Sequence, residues 1–232
     1  MNPTGMHSKK DPPAQKWLRI GLLICGIVSS LLYVGADILA AMRWEGYRYT
    51  DQAVSELMAI EAPTRPLLVA LFSVYGLLVI AFGIGVWATA GHKRALRFTG
   101  ILMVAWAAVG FVGLLLAPMH LREPVGSTAN TLHIIVTGVG VLLLLVSIGF
   151  AAAVWGKGFR LYSIATVLIL LVFGALTGLL VPRSAAQLPT PTPWLGALER
   201  VNIYFSMLWI LALAIALLRS EQGSGSIRGS DA

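Results

Sequence analysis

Two histidines, His120 and His133, lie thirteen residues apart across the gap between two apolar runs. Asp37, Ser55, Glu56, Arg65, Arg122, Glu199 and Arg200 complete the set of side chains best suited to chemistry. Imidazole nitrogens and carboxylate oxygens are the donors Zn²⁺ takes, so His120 and His133 with Asp37, Glu56 or Glu199 would hold zinc with a position open for water. The spacing carries no HExxH signature, and the plainer alternative is that both rings hydrogen-bond within a structural polar cap. Ser55 beside Glu56 has the chemistry of a nucleophile, or simply of a solvated face. Asp37 sits inside an apolar run twenty residues beyond Trp17, roughly 30 Å along a helix, so it falls near an interface rather than mid-bilayer. Glu199 and Arg200 are neighbours in sequence and diverge by about 100° on a helix, so they cannot satisfy each other. Arg200 needs a carboxylate from elsewhere and Glu199 a histidine or an arginine; Asp37 is a candidate partner for Arg43 or Arg200.

Long apolar stretches must position these groups. Of 232 residues 57% are hydrophobic and 12% charged, and the mean hydropathy is +0.81, which marks an integral membrane protein. Six stretches are long enough to cross a bilayer at about 1.5 Å per residue: 17–42, 66–90, 98–118, 132–155, 161–181 and 201–218. The first is too long for a cleavable signal sequence and is read as a retained span. The expected fold is all-α and polytopic: six transmembrane helices arranged as three antiparallel hairpins in one domain, 17–218. Residues 1–16 and 219–232 are expected to be disordered cytoplasmic tails. The net charge of +7 is scattered at the ends of apolar runs, which argues against nucleic acid as a partner. Counting Lys and Arg places eleven on one side (9, 10, 16, 19, 93, 94, 97, 157, 160, 219, 228) and six on the other. Both termini should therefore be cytoplasmic in a plasma or inner membrane, with the candidate residues gathered in one outward-facing layer. The single cysteine, Cys25, excludes a disulfide within the chain.

The stretch "SELMAIEAPTR", residues 55–65, sits between two long apolar runs and is far more polar than they are. Ala53, Val54, Leu57 and Met58 recur at helical spacing, so it reads as a short interfacial helix in the first outer loop, apolar face down and polar face toward the histidines. Pro63 and Pro66 end it. Small residues (Gly26, Ser29, Ser30, Gly174, Gly178) mark places where helices approach. "GLLLAP" at 113–118 and "GLLVP" at 178–182 form a weak internal echo.

The stretches "SELMAIEAPTR", "PMHLRE" with a downstream "TLHI", "GFRLYS" and "PTPWLGALER" resemble the six-span prokaryotic membrane proteins grouped as domain of unknown function 998. The resemblance extends over about residues 17–218 and marks Ser55, Glu56, Pro63, Arg65, His120, Arg122, His133, Arg160, Trp194, Glu199 and Arg200. It implies a fold and a membrane location and no activity. Three functional expectations follow. The polar layer binds a lipid headgroup or small solute; or His120 and His133 serve a metal-dependent hydrolase or transferase; or the layer is a structural or regulatory clasp. The lipid bilayer is the partner common to all three.

Overall fold

The computed structural model describes residues 12–121, 127–181 and 192–226. Its regular elements are helices: α1 (Pro13–Arg43), α2 (Arg65–Thr89), α3 (Arg94–Leu116), α4 (Thr128–Ala152), α5 (Lys157–Leu180) and α6 (Leu195–Ser226), with one 3₁₀ turn, Ser55–Met58. All six α-helices are long and apolar enough to cross a membrane, so the chain is a multi-pass membrane protein. α1 begins at Pro13 and α6 runs to Ser226, so each helix continues through residues expected in a disordered tail; residues 1–11 and 227–232, and Arg122, lie outside the described residues.

Successive helices pack side by side, and α6 returns to α1, closing a ring in which α4 and α5 touch least. Contacts between neighbours pair the start of one helix with the end of the next. A Cβ on Gly85 would meet Leu22 of α1, one on Gly26 the ring of Phe82, and one on Gly113 of α3 would meet Val136 of α4. Tightest is the crossing of α2 and α3. A Cβ on Gly100 would stand 2.6 Å from the carbonyl oxygen of Gly83 and 2.7 Å from the Trp87 nitrogen. Only glycine permits backbones this near. Ser30 of α1 donates to the Met207 carbonyl of α6 at 3.0 Å, and Trp209 of α6 donates to Ser163 of α5 at 3.1 Å.

Two apolar clusters fill the ring. The larger centres on Leu23, Phe82, Met103, Ile148, Trp209 and Leu213. The smaller joins Ala36, Ala40, Leu68 and Phe72 to Val54 and Leu57 of the α1–α2 connection. At the end of the bundle carrying the start of α1 and the end of α6, Arg19 and Glu221 pair at 3.2 Å. The opposite end carries the α1–α2, α3–α4 and α5–α6 connections and is called the loop end below.

The "SELMAIEAPTR" segment departs from its expected form. It makes a single 3₁₀ turn of four residues, not an amphipathic helix lying at an interface, and Glu56 and Leu57 are both buried. Val54 and Leu57 are inserted between α1 and α2. Side chains take the carbonyls that further helix would have used: Thr64 donates to Leu57 at 2.8 Å and Arg65 to Met58 at 2.6 Å. Local side-chain bonds of this kind compete with helix and stop it.

Candidate functional site

The expected polar layer divides into three arrangements at the loop end. The first is a closed clasp. Asp37 on α1 and Arg200 on α6 are 0% and 3% exposed and pair in bidentate fashion, Nε to Oδ2 and Nη2 to Oδ1, both at 2.9 Å. Nη2 also donates to the Tyr47 hydroxyl at 2.8 Å, and Nη1 donates to the Tyr49 and Gln52 carbonyls at 2.5 and 3.0 Å. All five guanidinium N–H groups are thus engaged. The Tyr49 ring lies 3.6 Å from the guanidinium carbon, a cation–π contact. Oδ2 of Asp37 additionally accepts from Tyr204 at 2.6 Å and Tyr49 at 3.2 Å. Burial pushes the Tyr47 phenol well above its usual range, against the opposing pull of Arg200, so its hydroxyl keeps the proton it donates to the loop carbonyls. Gly196, one helical turn before Arg200, lets the loop lie on α6: any Cβ there would press on the Gln52 and Tyr49 carbonyls. Asp51 fixes the entry to α6, pairing with Arg48 at 2.6 Å and accepting the Trp194 N–H at 3.3 Å. Trp194 itself adopts φ 69°, a left-handed backbone that non-glycine residues seldom hold.

The second arrangement is a surface strap. His120 Nδ1 meets Glu61 Oε1 at 2.5 Å, and the Leu121 N–H donates to Glu61 Oε2 at 2.7 Å. A backbone bond from Ile60 to Met119 at 2.9 Å runs alongside. These contacts tie the first connection to the second. The histidine and the peptide N–H together hold the exposed Glu61 carboxyl down at about 2. Glu56 points elsewhere, accepting from Gln52 at 2.8 Å.

The third is a cavity of about 430 Å³ inside the ring, mostly apolar and lined from all six helices and the 3₁₀ turn. Its polar members include Ser55, Arg65, His133 and Glu199, each of which is within the first two turns of a helix or in the turn at the loop end. Glu199 accepts the Val54 N–H through Oε2. His133 Nδ1 faces the Ala117 carbonyl oxygen at 3.3 Å. Deeper in, Asn202 and Ser206 continue the cavity face of α6 at helical spacing from Glu199. The wall there is aromatic: Tyr33 stacks on Phe72 at 4.5 Å, and Tyr75 meets Trp106 edge-on at 6.4 Å. Tyr75 also holds a buried hydroxyl with no hydrogen-bond partner among the described residues.

The structure therefore gives Arg200 the carboxylate it needed and assigns that role to Asp37. Glu199 accepts from a backbone amide through one oxygen, not from a histidine or arginine. His120 and His133 take separate partners. Among the described residues no group of three His, Cys, Asp or Glu could hold a metal ion. Sequence reasoning missed Glu61, Gln52 and the three clasp tyrosines. For Glu61 the signal was present, a second carboxylate in the polar stretch 55–65; the tyrosines carried none.

Comparison with known families matches residues 27–216 to the family described as "Protein of unknown function (DUF998)". Neither the curated proteins nor the solved structures gave a match.

Proposed function

The chain belongs to the DUF998 family, and on that footing we propose that it binds an amphipathic small molecule within the bilayer, apolar part in the cavity and polar part at the loop end. The observation that supports this most is the cavity itself. Its volume of about 430 Å³ falls in the roughly 300–1,000 Å³ range of small-molecule sites. Arg65, His133 and Glu199 gather at one end of a mostly apolar lining, as a molecule aligned with the lipids would require. The Asp37–Arg200 clasp and the His120–Glu61 strap act as scaffold on this reading, because their donors are already committed to protein acceptors. By the distribution of Lys and Arg, the loop end faces outward from a cell membrane and both termini are cytoplasmic.

Native mass spectrometry of the purified full chain tests the proposal. A Cβ on Gly110 would meet nothing within 4 Å, and this residue lines the cavity, so Gly110→Phe fills the space with little disturbance of the helices. Wild type should carry a co-purified amphiphile and Gly110→Phe, folded to the same thermal stability, should lose it. Equal retention by both would overturn the reading.

A further inference from the structure

We infer, resting on the cavity reading above, that the bound molecule is a single-chain amphiphile whose polar end is a hydrogen-bond donor, a hydroxyl or an ammonium. The argument starts from proton positions at the loop end of the cavity. A carbonyl oxygen only accepts, so His133 Nδ1, facing Ala117 O at 3.3 Å, carries the hydrogen. In the neutral ring Nε2 is then a bare acceptor. Glu199 receives the Val54 amide on Oε2, and its other oxygen has no partner among the described residues. His133 and Glu199, each with one acceptor atom to spare, both line the loop end of the same cavity. Arg65, the cation that lines it, gives an N–H to the Met58 carbonyl at 2.6 Å and is partly drawn back to the backbone. Ser55, which also lines the cavity, both donates and accepts. Acceptors left facing an apolar space are costly until a donor arrives, so a donor headgroup is the complementary occupant. The volume sets the tail: about 430 Å³, near the lower end of small-molecule sites, takes one hydrocarbon chain and not the two of a diacyl lipid.

The experiment titrates the full chain in nanodiscs of zwitterionic lipid, at mildly alkaline pH, with hexadecylamine, hexadecanol and hexadecanoate, reading bound fraction by native mass spectrometry. The amine and the alcohol should bind at least about tenfold more tightly than the carboxylate, the discrimination expected of one charge-assisted hydrogen bond. Glu199→Gln keeps an acceptor for the Val54 amide. It should cost the amine about tenfold in affinity while the alcohol changes little. A carboxylate probe that binds best, or three probes that bind alike to wild type, would sink the donor assignment and leave the cavity reading standing. If no probe binds and Gly110→Phe changes nothing, the cavity reading itself falls.

Discussion

Arg200 is held by one carboxylate, one phenol and two loop carbonyls, so its removal would strand several buried groups at once. Arg200→Ala should destabilise the protein by about 3–5 kcal/mol, the usual result of leaving a buried ion without its partner. Arg200→Lys should recover only part of this, because an ammonium lacks the planar fork that meets both oxygens of Asp37. Denaturant unfolding in mixed micelles measures both; a wild-type midpoint for Arg200→Ala would refute the clasp. Double replacement, Asp37→Ala with Arg200→Ala, should cost less than the sum of the single variants. The strap makes a different prediction. The Glu61 carboxyl is lowered from its ordinary 4.5 to about 2 when folded. A depressed folded-state value means the contribution is present above 4.5 and is lost as pH falls from there through about 2. Both side chains are about half exposed, so screening keeps the gain small and salt should weaken it. Carbon-detected NMR of labelled glutamate checks this: Glu61 titrating near 4.5 in the folded protein would contradict it. At this scale the divergence of Glu199 and Arg200 was readable in advance, since helix geometry alone forbids their pairing. The choice of Asp37 over other carboxylates, and the tyrosines around it, depended on which helices became neighbours.

The six helices were legible because a bilayer leaves an apolar run of this length little else to become. The 3₁₀ turn was not. Val54, Leu57 and Met58 have the spacing of an amphipathic helix, but their partners are α1 and α2 rather than a membrane surface. Periodicity alone cannot say against what an apolar face is buried. Glycines are similarly ambiguous until the helices are paired. Gly100→Ala should destabilise by about 1–3 kcal/mol, because its Cβ would meet the backbone of α2 at 2.6–2.7 Å. Gly138→Ala, with nothing within 4 Å, should be neutral or slightly stabilising. Thermal unfolding of the two variants side by side tests this, and equal shifts would mean α2 and α3 do not cross so closely. Gly174 does approach Asn202, at 3.0 Å for a built Cβ, whereas Gly178 of the same small-residue stripe faces open space.

Across the whole molecule, the cavity was the least legible feature: its lining comes from all six helices, and no segment of sequence announces it. Orientation rests on charge counting and is open to direct test. In a Cys25→Ser background, Ile60→Cys should react with a membrane-impermeant thiol reagent added to intact cells, since Ile60 is 43% exposed at the loop end. Reaction only after the cells are opened would invert the assignment. One contact noted earlier reaches further than its own energy. Arg19 and Glu221 touch near the two extremities of a closed ring, so the beginning and end of the polypeptide order are, in space, a matter of convention. A circular permutant that joins them by a flexible linker and opens at Gly91, a turn at the same end of the bundle, should insert with its sidedness preserved and fold to the same ring. The order in which these helices leave the ribosome would then be separable from the architecture they form.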